Sequence, residues 1–364
     1  MSILKKSIPL APLLLLPLAL LAGMQGGWMR MGAGGPWPSL AAGHALLMIG
    51  GFLGTLISLE RSMAMPTKSW RLLPLINALS IIPLLLNQFS WAVGMQSVTA
   101  AGLSLLLYTM LKKHNSVPLL FMTFGALLWL IGNLAFLYRG WVVVAVPWWM
   151  GFLLLTIVGE RLELSKFLPT PRWAFRSLYF LLMAWTGTLL LPFHGSWAWI
   201  TGLVMILLAC WLLYFDLARI IIRKTDRYRY IGVGLRTGYL WLMLHGLSFF
   251  LPDSLPYRYD LYLHTFFLGF VFSMIWAHAP IILPLLVGSN RNPYHASLWL
   301  PWTIFQLSLL LRLLAYVLYA PSWRLIFAQI NGYCILLLLL SMVFLLFRRS
   351  NIQQYPPSDH LHFP

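Results

Sequence analysis

Apolar runs of about 20 residues recur along almost the whole chain, separated by short polar, glycine or proline breaks. A run of that length crosses the hydrocarbon of a bilayer as a helix, because every backbone N–H and C=O must be satisfied within the segment. Only 9% of the residues are charged and 60% are apolar, whereas a soluble domain carries about a quarter charged. An all-α integral membrane protein follows. Counting the runs predicts twelve transmembrane helices, near 8–27, 41–60, 71–87, 91–111, 118–138, 142–161, 175–192, 197–217, 231–250, 261–284, 298–319 and 325–347. Lys5-Lys6 ahead of the first run resembles a signal peptide, but the helix count and charge pattern need that run as a retained first helix. The chain 1–364 is therefore one polytopic membrane domain with a short tail, 351–364.

Charge orients it. The net charge is +17, yet the basic residues sit in short loops and form no stripe able to grip phosphates, so nucleic acid is not a partner. Alternate connections, together with the two termini, hold 19 Lys and Arg, from Lys5/Lys6 through Arg61/Lys68/Arg71 and Arg219/Arg223/Lys224 to Arg348/Arg349. The other set holds 4, namely Arg30, Arg139, Arg258 and Arg324. That asymmetry places both termini in the cytoplasm of a bacterial-type inner membrane, and Trp28, Trp37, Trp91, Trp141, Trp197 and Trp323 form the aromatic belt of the opposite face. The two cysteines, Cys210 and Cys334, lie in apolar runs, which excludes a disulfide framework.

An internal repeat sets the architecture. Gly51-Phe52-Leu53 leading to Glu60-Arg61 recurs as Gly151-Phe152-Leu153 leading to Glu160-Arg161, and a weaker copy from Gly269-Phe270 puts His278 in the glutamate's place. The copies fall on the second, sixth and tenth spans. They predict three pseudo-symmetric four-helix arcs, approximately 1–113, 114–224 and 225–350.

Two histidines stand out in this apolar setting. His44 and His264 each lie about four residues inside the outer end of their span, roughly 6 Å deep at 1.5 Å per residue. An ionisable group within a span is costly and marks a site, and neutral imidazole is a common metal and haem ligand. The pair therefore suggests one ligand shared between them, a metal or a haem, against the plainer alternative of two separately hydrogen-bonded histidines. Gly51 lies about 20° from His44 by helix angle at 100° per residue, and offers a recess for a porphyrin edge or simply close helix packing.

Twelve spans in three arcs, with histidines on the second and tenth, resemble the haem–copper oxidase subunit I fold. His44-Ala-Leu-Leu-Met-Ile-Gly and His264-Thr-Phe-Phe-Leu-Gly-Phe-Val-Phe-Ser-Met-Ile look like the segments that supply the axial ligands of that superfamily's low-spin haem. The resemblance implies haem b held by His44 and His264, with Arg312 and Arg324 as partners for its propionates. The departures are equally specific: Tyr262 stands where a second haem ligand is expected, 142–161 contains no histidine, and the His-His pair is absent from 175–192. No binuclear oxygen-reducing centre is expected, and the spacing does not support copper. The chain is similar to divergent non-oxidase members, with the nitric-oxide-response haem membrane proteins (the NnrS-like family) the nearest group.

Other polar groups carry weaker signals. His245, near the outer end of the ninth span, reads as a propionate partner, an additional metal ligand or a hydrogen-bonded histidine near the surface. Glu60, Glu160 and His278 occupy equivalent places in the three copies and suggest a metal or proton site if their helices converge, or Glu–Arg pairing at the membrane boundary. His194, in an outer loop, reads as solvated, and the His360/His362 tail as disordered. The expected function is electron transfer or nitric-oxide-related redox chemistry, with a quinol or a redox protein as partner within the lipid bilayer. A cofactor-free twelve-helix transporter or channel is the alternative. It is disfavoured by largely apolar midplanes.

Overall fold

The computed structural model describes residues 10–348 except 36, 166–167 and 193–194. Lys5, Lys6, Lys166, Arg349, His194 and the tail 351–364 with His360 and His362 lie outside the described residues. The described elements are all helical. In chain order they are α1 (Leu10–Arg30), α2 (Ser39–Ala64), α3 (Leu72–Leu79, resumed as Ile81–Leu85), α4 (Phe89–His114), α5 (Val117–Arg139) and α6 (Val142–Ser165). There follow α7 (Arg172–Thr188), α8 (Ala198–Phe215), α9 (Asp226–Leu247), α10 (Arg258–Leu286), α11 (Trp299–Val317) and α12 (Pro321–Phe347).

Among the described residues, nine of these helices are long and apolar enough to cross a membrane; α3, α7 and α9 are the exceptions. Each exception has a local cause. The first part of α3 stops at Leu79, whose carbonyl would meet the ring of Pro83 one turn on. After Pro171, α7 runs for only 17 residues. Within α9, Arg236, Thr237 and glycines at 232, 234, 238 and 246 dilute the apolar residues.

Neighbouring helices pack in pairs along the chain, α4 on α5, α5 on α6, α8 on α9 and α11 on α12, while α1 lies across α2. Between distant parts of the chain, Phe52 of α2 stacks on Phe272 of α10 with ring centroids 6.1 Å apart. Helix ends obey ordinary capping: α5 closes on Gly140 at φ 71°, a left-handed position that glycine adopts without steric penalty.

Two helices depart from α geometry in matching places. In α2 the segment Leu46–Gly54 is a π-helix, and in α10 the segment Thr265–Phe272 is another. Each begins within two residues after a singled-out histidine, His44 or His264. A wide turn releases carbonyls from the normal ladder, and side chains take them up. In α2, Asn77 Nδ2 donates to the Gly50 carbonyl at 2.7 Å and Gln96 Nε2 to that of Leu46 at 3.4 Å. Ahead of the α10 segment, the Tyr262 carbonyl receives the Thr265 hydroxyl at 3.0 Å and lies 3.1 Å from His245 Nδ1.

Candidate functional site

His44 and His264 face one another across a cavity of about 370 Å³. Their ring centroids are 6.5 Å apart, with planes inclined by 32°. Each ring is anchored through Nδ1. That of His44 is 2.6 Å from the Gly23 carbonyl of α1, an acceptor, so the nitrogen donates. That of His264 is 2.8 Å from Asp260 Oδ1 and 2.9 Å from the Asp260 carbonyl, one helical turn back. With Nδ1 protonated in both rings, Nε2 carries the lone pair, the tautomer that ligating histidines are held in by their outer partners.

The remaining walls are sorted by polarity. Met24, Met48, Leu53, Val146, Phe267 and Phe272 line the apolar part, while Arg30, Tyr257, Asp260, Arg312 and Arg324 gather where α1, α10, α11 and α12 end or begin. Such a cavity suits an amphiphile with a broad apolar body and acidic groups at one edge. An imidazole nitrogen binds a first-row metal at about 2.0–2.1 Å and lies roughly 1.1 Å from its ring centroid, so two imidazoles on one metal span about 6.3 Å. The observed separation fits one shared ion. The residues present therefore fit a haem.

The two arginines turn out unequal. Arg312 is buried and already neutralised: its Nη2 is 3.4 Å from Asp260 Oδ2 and its Nε donates to the Tyr316 hydroxyl at 2.7 Å. Tyr316 in turn donates to Asp260 Oδ2. Arg324 is only 9% exposed, its guanidinium lies 3.7 Å from the Tyr257 ring centroid, and its Nε has no hydrogen-bond partner among the described residues. Arg324 is thus enclosed rather than solvated at the membrane boundary. Its position at the start of α12 turns it inward, against the ring of Tyr257 just ahead of α10.

Gly51 is not in the cavity wall. A Cβ there would meet Ala19 of α1 and Ile81 of α3 at 3.6–3.7 Å. The 100° rotation used to align it with His44 fails inside a π segment, where each residue turns less. The glycine that makes room is Gly27 of α1, where a Cβ would stand 2.9 Å from His44 Cε1 and 3.1 Å from Nδ1.

His245 lies away from this cavity. It is 1% exposed rather than near the surface, and it lines a separate space of about 30 Å³ with Met150, Met205 and Tyr262. Its Nδ1 supports the Tyr262 carbonyl next to the α10 π segment, so the structure gives it a role in helix geometry.

Glu60, Glu160 and His278 are brought near one another at the far ends of α2, α6 and α10, but through their arginines. Arg61 of α2 bonds Glu160 of α6, and Arg161 of α6 bonds His278 of α10. Each arginine thus reaches the next copy's acceptor rather than only its own neighbour. In the third copy the arginine's place is taken by Ala279, and Glu60 has Arg61 at 3.9 Å. Among the described residues no group of three or more His, Cys, Asp or Glu is placed to hold a metal ion.

Sequence reasoning missed Gly23, Gly27, Tyr257, Asp260 and Tyr316. Asp260 carried a usable signal: an acid four residues before a histidine lies on the same helix face. Arg312 and Tyr316 share that spacing. No curated protein and no solved structure matches the chain. The family described as a domain of unknown function (DUF8744) matches residues 9–347, and the chain belongs to that family.

Proposed function

We propose that this chain is a haem-b-binding membrane protein that transfers electrons, with His44 and His264 as the two axial ligands. The observation that carries the reading is the opposed pair of imidazoles, each pinned at Nδ1 and separated by 6.5 Å. Bound haem supplies one-electron redox chemistry at iron. The chain's own residues do the rest. Gly23 and Asp260 fix the tautomers, Gly27 leaves space for the His44 ring, and the Met, Val and Phe walls exclude water. Arg324 offers an uncompensated cation to an acidic edge, whereas the Arg312 charge is taken by Asp260. With both histidines holding it, a haem would have no open position at its iron, which favours electron transfer over gas binding. A quinol or a redox protein is the partner class.

The same reading holds that α3, α7 and α9 complete twelve spans in three arcs, with Asn77 of α3 buried and Arg236 and Thr237 of α9 half-buried. Positive charge in the alternate loops supports cytoplasmic termini and an outward-facing cavity in a bacterial-type inner membrane. Kinship with divergent, non-oxidase relatives of the haem–copper oxidases accounts for the placement of both ligands.

Protein purified after haem-replete expression and reduced with dithionite is expected to show sharp b-type absorption bands, lost in both His44→Ala and His264→Ala. A folded, colourless wild-type protein would falsify the reading.

A further inference from the structure

The two anchors are electrically different. His44 donates to a neutral carbonyl, whereas His264 donates to a carboxylate. That carboxylate belongs to a closed group: Asp260 Oδ1 takes His264, Oδ2 takes the Tyr316 hydroxyl and faces Arg312, and Arg312 Nε holds Tyr316 from the other side. Arg312 and Tyr316 are buried, and all these groups come from adjoining turns of α10 and α11.

We infer that Asp260 is a positioning residue that sets the reduction potential of the haem by polarising His264, with Tyr316 and Arg312 moderating its charge. The inference rests on the haem reading. A carboxylate accepting the Nδ1 proton makes Nε2 a stronger donor. A stronger donor favours the more highly charged ferric state, and loss of the carboxylate would leave the Arg312 cation unbalanced beside it, which favours the ferrous state. Asp260 therefore lowers the potential. Tyr316 bonds the opposite oxygen and withdraws charge from it, so the hydroxyl raises the potential. Opposite signs from two neighbours in one network separate this role from mere support of the ring, because loss of support would loosen the ligand in both variants.

The test is an equilibrium redox titration of the full-length, haem-loaded protein, followed by its absorption bands, with ferric electron paramagnetic resonance recorded on each sample. Asp260→Asn is expected to raise the ratio of reduced to oxidised haem at a fixed ambient potential about tenfold, 59 mV for a one-electron couple, with the low-spin signal kept. Tyr316→Phe is expected to lower that ratio about threefold. An unchanged or lowered potential in Asp260→Asn with low-spin haem retained overturns the inference and leaves the haem reading standing. Should Asp260→Asn fail to hold haem, Tyr316→Phe decides alone, since it keeps both ligands and the carboxylate: an unchanged or raised potential overturns the inference. A wild-type protein without haem overturns both.

Discussion

Gly27 shows how narrowly the site is set at the scale of single residues. A methyl group there would stand 2.9 Å from the His44 ring, closer than carbon atoms pack, so the imidazole must move off its line to His264. Gly27→Ala is expected to weaken haem binding at least tenfold, about 1.4 kcal/mol, measured as haem per protein after purification. Gly187→Ala, where an added Cβ meets nothing within 4 Å, should match wild type, and equal haem content in both variants would contradict the account. The arginines differ in what they do. Arg324→Gln should reduce haem retention and leave the thermal stability of the haem-free protein unchanged. Arg312→Gln strands Asp260 and should destabilise the haem-free protein by about 3 kcal/mol, read from its unfolding midpoint; equal stability losses in both would argue against this division. His44 and His264 were legible because two imidazoles stand at matching depths in two distant apolar runs. Asp260 was only partly legible: its spacing to His264 is helical, but it follows the polar stretch 252–259 and reads as a loop residue until α10 is seen to start at Arg258. Nothing in α1 alone distinguishes Gly27 from Gly26, because its meaning depends on where α2 places His44.

At the scale of elements, the two π segments that follow the histidines are the features that apolar periodicity hides. A run such as Leu46–Gly54 reads as helix under any period, and only the carbonyl partners reveal the wider turn. That is why Gly51 was assigned to the wrong face. Asn77 and Gln96 are buried, and they hold these carbonyls in place of the regular ladder. Asn77→Leu removes the donor to Gly50 and to the Thr55 hydroxyl, which it meets at 2.8 Å. It should cost about 1–3 kcal/mol and lower the unfolding midpoint in detergent; an unchanged midpoint would show that the wide turn needs no such partner. The same limit explains the span count. Twelve apolar runs are visible, but Pro83 breaks one helix, a second is only 17 residues long and polar residues dilute a third, so among the described residues length and hydropathy recover nine.

For the whole molecule, the apolar runs foretold the all-helical class, whereas how the three repeat copies meet was open until their ends were seen joined by Arg61–Glu160 and Arg161–His278. Orientation can be checked directly. With Cys210 and Cys334 replaced by serine, a single cysteine at Gly140 should react with a membrane-impermeant thiol reagent in intact cells and one at Asn115 should not; the reverse labelling would invert the topology. The central claim is that His44 and His264 share one iron. Ferric electron paramagnetic resonance of the purified protein tests it most directly. The account predicts a low-spin signal in wild type, conversion to high spin in His44→Gly and in His264→Gly, and return to low spin when imidazole is added to either variant. A high-spin wild-type signal, or a low-spin signal that survives both substitutions without imidazole, would contradict it.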